Sequence, residues 1–197
     1  MLDTYKFIEK YKRISIIGME KNVGKTTLLN KLIADIGTNK KLGLTSIGRD
    51  GEDIDVVTNT DKPRIYVRRG SIIATGRNCL AKCDITKEIL YVTDFTTPMG
   101  SIVIVRALSD GYVDIAGPSY NKQVKIVVEL MEKFGSEISI VDGALGRKST
   151  AISDVSEATI LSTGAALSLD MLKVVEETKK TVYFLKLDEA EKNIKDR

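Results

Sequence analysis

The stretch Arg13 to Ile36, RISIIGMEKNVGKTTLLNKLIADI, leaves this chain the least freedom in how it folds. It opens with an apolar run of strand length (Ile14, Ile16, Ile17) and passes through a loop bounded by Gly18 and Gly24. It then carries Leu28, Leu29, Leu32, Ile33 and Ile36 at helical spacing up to Gly37, a residue suited to a helix C-cap. Strand, glycine-bounded loop and helix in that order make a phosphate-binding P-loop.

Each part of that stretch has a chemical reason. Gly24 lets the backbone turn so that the amides of Lys21, Asn22, Val23 and Gly24 face phosphate oxygens, and the helix starting near Lys25 presents the positive end of its dipole to the same anion. Lys25 reaches the β- and γ-phosphates, the Thr26 hydroxyl coordinates Mg²⁺, and Thr27 hydrogen-bonds a further phosphate. The plain alternative is a glycine-containing turn with a solvated lysine. Gly24-Lys25-Thr26-Thr27, placed after a strand and opening a helix, argues against it.

Histidine is absent, which removes Ser-His-Asp and Cys-His catalysis and any His-ligated metal site. The chemistry must come from carboxylates, lysines, hydroxyls and backbone amides, a set suited to phosphoryl groups, where positioning and charge stabilisation matter more than a strong base. At 197 residues, with 43% hydrophobic and 29% charged residues, the chain has the size and texture of one globular domain. A net charge of +3 is too small to imply nucleic acid. No apolar run reaches membrane-spanning length and the polar N-terminus has no signal-peptide core, so a cytoplasmic protein is expected. The two cysteines, Cys79 and Cys83, agree with a reducing compartment and are read as packing residues rather than metal ligands.

After Gly37, Leu42 to Ile47 reads as a second strand that runs into the acidic loop Gly48 to Asp53. Asp50 is a candidate Mg²⁺ ligand there, with Asp53 beside it. From Pro63 to Leu108 the runs RIYV, SIIATG, EILYVT and SIVIVRAL are short and β-rich, without long helices between them, and predict an antiparallel meander inserted beside a parallel core. YVDIA, from Tyr112, reads as a strand resuming the parallel pattern. Val124, Val127, Val128, Met131 and Phe134 mark a helix ending at Gly135. Ile138 to Val141 forms a strand ending in Asp142, the position of a Walker-B carboxylate, with Arg147 and Lys148 close behind to meet anionic groups. Asp142 is therefore a candidate as Mg²⁺ ligand or as the group that polarises an attacking nucleophile.

Further on, Ala158 to Leu161 predicts a strand, Ser168 to Lys180 a helix capped by Ser168, and Thr181 to Leu185 another strand. That last strand leads into Lys186-Leu187-Asp188, where an Asn-Lys-x-Asp guanine reader would stand. Leu185 holds the Asn position, which favours ATP over GTP. A charged helix is expected from Asp188 to Arg197, and its end without a cap suggests a further C-terminal domain. The fold expected overall is α/β: a P-loop NTPase domain over 1–197 with a mostly parallel, helix-flanked sheet and a β-rich subdomain inserted over about 63–108.

Five residues, Met19 to Val23, separate Gly18 from Gly24, one more than in the commonest P-loop. This longer loop resembles that of the dethiobiotin synthetase and cobyrinic acid synthase branch of NTPases. Relatives of the ParA and MinD type carry a signature lysine where this chain has Glu20, with Lys21 one place on. Through GMEKNVGKTT, SIGRDGE, DIAGPSYNKQ, IVDGALGRKS and ATILSTGAALS the chain resembles the P-loop subunit encoded beside cobalamin-dependent lysine 5,6-aminomutase and ornithine aminomutase. The resemblance implies an ATP- and Mg²⁺-dependent ATPase that helps reactivate the mutase together with a MutS-like ATPase. It also implies dimerisation across the nucleotide. Two other readings remain: a dethiobiotin synthetase-like ligase in which Lys25, Thr26 and Asp142 deliver a phosphoryl group to a carboxylate, and a nucleotide-binding module with negligible turnover.

Overall fold

The computed structural model of the chain describes residues 6, 8–48, 64–143 and 155–186. Its elements follow from where apolar side chains can be hidden. Four strands, β1 (Arg13–Gly18), β2 (Leu42–Ser46), β4 (Ile72–Gly76) and β8 (Ile138–Asp142), are buried almost throughout. Such continuous burial belongs to strands covered on both faces. With β9 (Ala158–Ser162) they run parallel, and β6 (Gly100–Ala107) and β5 (Lys87–Thr97) extend the same sheet antiparallel. The resulting seven-stranded sheet has the order β5-β6-β4-β2-β8-β1-β9. A separate two-stranded antiparallel sheet joins β3 (Ile65–Val67) to β7 (Gly111–Val113).

Alternation along the strands divides the core in two. On one face Ile14, Ile16, Leu44 and Ile140 meet α1 (Lys25–Ile36) and the small sheet; on the other Ile72, Ile102, Ile104 and Val141 meet α3 (Asn121–Lys133). α1 buries Leu29, Leu32, Ile33 and Ile36, and α3 buries Val124, Val127, Val128 and Met131, one apolar stripe per helix. At about 1.5–3 kcal/mol per side chain, each stripe contributes on the order of 6–12 kcal/mol before the entropy of ordering, so packing decides these helices more than propensity does. Arg13 adds a two-pronged ion pair from β1 to α3, with Nε and Nη2 donating to Glu132 at 2.7 and 2.8 Å. This hydrogen bonding holds the Arg13 pKa above its ordinary value.

The last helix, α4 (Met171–Leu185), buries no residue. Local terms shape it instead: Asp170 Oδ1 accepts from the Leu172 amide at 2.9 Å as an N-cap, and Lys180 pairs with Glu176 and Glu177. Among the described residues no helix is long and apolar enough to cross a membrane.

The α/β class and the mostly parallel, helix-flanked sheet agree with the sequence reading, but several particulars differ. Apart from β3, the β-rich run does not form a sheet beside the core, since β4 pairs in parallel with β2 and carries β6 and β5 outward as part of the central sheet. The strand at Tyr112 does not resume the parallel pattern either, because it pairs antiparallel with β3. Thr181–Leu185 is the end of α4 and not a strand, so the strand that was to present a guanine reader is missing. No breaker separates Lys180 from Thr181, and a helix already under way continues through β-branched and aromatic residues rather than stop. The cap of α4 is Asp170 rather than Ser168, whose hydroxyl accepts from the Asp170 amide at 3.1 Å.

Candidate functional site

The route of the chain through the sheet sets the site. It leaves β1 through α1 to reach β2, two places across, and leaves β8 to reach β9 on the far side of β1. Val155, shortly before β9, packs on the α3 face, opposite α1. Connections that depart in opposite directions open a crevice at the carboxyl ends of the strands between them. Here those ends belong to β1 and β8, the strands that carry Gly18 and Asp142.

Gly18 ends β1 and Lys25 opens α1. Between them the backbone turns through two left-handed residues, Asn22 at φ 60° and Gly24 at φ 85°. Asn is among the few side-chain residues that tolerate that region, and Gly24 has it at no steric cost. A Cβ on Gly24 would meet nothing within 4 Å, so conformation rather than space explains that glycine. Space explains Gly18, where a Cβ would lie 2.6 Å from Lys25 Nζ and 2.7 Å from Val23 Cγ2. The lysine thus folds back across the end of the strand, and its Nζ donates to the Glu20 carbonyl at 2.8 Å. The Met19 amide donates to the Ser162 carbonyl at 2.9 Å and ties the loop to β9.

The start of α1 has no side-chain cap and no acidic residue in its first turn. Its first helical hydrogen bond runs from Leu28 N to Gly24 O, so the amides of Lys25, Thr26 and Thr27 precede the ladder at the positive end of the dipole. Burial lowers the pKa of Lys25, while Asp142 and Glu20 pull it back up. The buried part of its ammonium environment thus carries a desolvation cost. A polyanion at the loop would offset it.

Asp142 stands one strand from this loop, level with Ile16 of β1 on one side and Ser46 of β2 on the other. Its carbonyl accepts from Ile47 N at 2.8 Å, and Gly143 N donates to Ile16 O at 2.9 Å, which fixes the backbone on both sides of the carboxylate. The fold therefore brings Gly18, Lys21, Asn22, Val23, Gly24, Lys25, Thr26, Thr27 and Asp142 to one edge of the sheet. Val23 is buried, Lys25 and Thr26 are half-buried, and Lys21, Asn22 and Thr27 are exposed. Asp50, Asp53, Arg147 and Lys148 lie outside the described residues. Among the described residues no group of three or more His, Cys, Asp or Glu side chains converges to hold a metal ion. Of the candidate ligands, Thr26 and Asp142 lie among the described residues.

One feature of this edge has no counterpart in the sequence reading. The segment after β7 crosses the carboxyl ends of β4 and β2: Gly76 N donates to Ala116 O at 2.8 Å, Gly117 N to Ser46 Oγ at 2.9 Å, and Gly48 N to Pro118 O at 2.9 Å. Gly117 lies so close to β2 that a Cβ would overlap the Ser46 carbonyl oxygen. A Gly-Pro pair reads as a turn in any sequence. Nothing local says which strand it will touch.

Cys79 lies in the short helix α2 (Arg77–Leu80) and Cys83 beyond its end, so the two do not share a helical face; Cys83 Sγ donates to the Cys79 carbonyl at 3.2 Å. Burial pushes the Cys83 thiol above its ordinary value, against a smaller opposing effect of the Asp114 backbone. A raised pKa means less thiolate at any given pH. Iodoacetamide is thus expected to label Cys83 more slowly than free cysteine at neutral pH, the gap closing as pH rises. Labelling at the free-cysteine rate at pH 7, read by mass spectrometry, would refute this.

No family model, curated protein or solved structure matches the chain.

Proposed function

We propose that the chain is a Mg²⁺-dependent ATP-binding P-loop protein, an ATPase that assists or reactivates a cobalamin-dependent aminomutase. The observation that carries the nucleotide part is the placement of Lys25, half-buried and folded over Gly18 where the sheet reverses direction, one strand from Asp142. The residues present fit a magnesium–triphosphate. Backbone amides from Lys21 to Thr27 and the Lys25 ammonium would bind phosphate oxygens, with Lys25 exchanging the Glu20 carbonyl for one of them. The Thr26 hydroxyl and Asp142 would hold Mg²⁺, with Asp50 as a third ligand. Mg²⁺ neutralises phosphate charge, and because it keeps several waters and phosphate oxygens of its own, few protein ligands suffice. Asp142 would then orient the attacking water, and Lys25 would neutralise charge building on the transferring group.

The aminomutase part, the MutS-like ATPase as co-partner, a cytoplasmic setting and pairing across the nucleotide rest on the segments whose resemblance is described above. No nucleic-acid partner is expected. The test is ATP and GTP hydrolysis by the purified protein with Mg²⁺, alone and with a cobalamin-dependent aminomutase, using Lys25→Ala as the blank. Turnover that appears or rises with the mutase is expected. Turnover that needs a small carboxylate substrate instead would move the assignment to a dethiobiotin synthetase-like ligase, and an inability to bind either nucleotide would overturn the proposal.

A further inference from the structure

β5 is the outermost strand on its side of the central sheet and, at 11 residues, the longest. Among the described residues no strand pairs with its outer edge. A bare edge presents a row of backbone donors and acceptors to any other strand, and proteins that stay apart blunt such edges with proline, charged side chains, bulges, short length or cover. β5 has no proline and exposes Ile89, Tyr91 and Val92 at 63%, 45% and 54%.

The register with β6 shows which face Ile89, Tyr91 and Val92 occupy, and a second irregularity follows between Val92 and Thr96. Ile89 lies opposite Val105 and Val92 opposite Val103, both in the core beneath α1. Tyr91 lies opposite Ile104, on the α3 side, where Leu90 also packs. A bulge between Ile89 and Tyr91 is what puts two consecutive residues on one face. Without it, Ile89 and Val92 would point to opposite faces.

This reversal of parity makes the edge self-complementary. A two-fold axis perpendicular to the sheet reverses a strand but keeps each side chain on its own face. With that axis midway between Leu90 and Tyr91, Ile89 comes opposite Val92 of a second copy and Leu90 opposite its Tyr91, each pair on a single face. The same placement sets Lys87 opposite Asp94 and Glu88 opposite Thr93. Neither Lys87 nor Asp94 has an ion-pair partner among the described residues, whereas Glu88 is already held by Arg106 at 2.6 Å. Moving the axis onto Tyr91 would oppose Glu88 with Asp94 and pair Leu90 with Val92 from different faces. Of these two registers, the first satisfies charge and face together.

We infer that β5 pairs antiparallel with β5 of a second copy, joining two seven-stranded sheets edge to edge. Five interstrand spacings of about 4.8 Å put this edge roughly 24 Å from β1, so the pairing leaves the Gly18–Gly24 loop open and does not depend on what that loop binds. Sedimentation of the full chain over a concentration series tests it. The wild type is expected to be dimeric at the upper end, and Asp94→Lys, which opposes lysine with lysine twice per dimer, to raise the dissociation constant roughly tenfold or more. The double exchange Lys87→Asp with Asp94→Lys should restore the dimer, and thermal melts of the single variant check that it is folded. Backbone amides of 88–93 should exchange more slowly as concentration rises. A chain that stays monomeric throughout, or a dimer indifferent to Asp94→Lys, overturns the inference; the first outcome would leave the edge to a strand from another protein.

Discussion

Lys25→Ala is expected to weaken ATP binding by roughly 10- to 150-fold and to abolish turnover, with the fold unchanged. A hydrogen bond to a charged partner is worth about 1.5–3 kcal/mol, and each 1.4 kcal/mol is tenfold in affinity. In the open loop the same ammonium gives little back to stability. Among the described residues its acceptor is the Glu20 carbonyl, at an exposed position, and burial lowers its pKa because the charge is partly desolvated. Removing it should therefore shift stability by no more than about 0.5 kcal/mol, or about 1–2 °C in Tm for a chain of this size. Calorimetric titration with Mg-ATP and a thermal melt on the same sample separate the two effects. Unchanged affinity would sink the P-loop reading, and a large fall in Tm would show that Lys25 serves the fold instead.

For stability the largest effect is expected at Gly117. The Cβ of Gly117→Ala would overlap the Ser46 carbonyl oxygen and lie 2.7 Å from Thr45 Oγ1. Both belong to β2, a strand buried at every residue and hydrogen-bonded in parallel to β4 and β8, so it cannot step aside. Overpacking against flexible side chains costs about 1–3 kcal/mol, and against fixed backbone the upper end applies, giving a Tm loss of roughly 6–12 °C. Gly164→Ala is the matched control, since its Cβ would meet nothing within 4 Å, and it should stay within about 0.5 kcal/mol of the parent. Equal melting of the two variants would mean that the Gly117 segment does not close over β2.

The two substitutions also mark how far the chain could be read residue by residue. Lys25 was legible because all that positions it is local: an apolar strand, two glycines and a helix stripe within one stretch. Gly117 was not, because its reason is a carbonyl 71 positions away in the chain. The same division runs through the strands. β4, β5 and β6 were legible as strands from their apolar, β-branched runs, yet their place in the central sheet was not, since pairing depends on partners that periodicity does not name. Thr181–Leu185 shows the converse error, in which a segment of strand-like composition was carried by the helix already begun at Met171.

By itself, then, the sequence determined the α/β alternation, the strand–loop–helix turn around Gly18 and Gly24, and the helix stripes of α1 and α3, all set by contacts within a few residues. Tertiary structure alone decided that β8 lies between β1 and β2, which brings Asp142 beside Lys25, that the Gly117 segment closes over β2, and that among the described residues β5 ends the central sheet. The physical reason is that local geometry follows from the conformational preferences of neighbouring residues, whereas strand order is settled by which buried faces and unpaired backbone groups satisfy one another at long range.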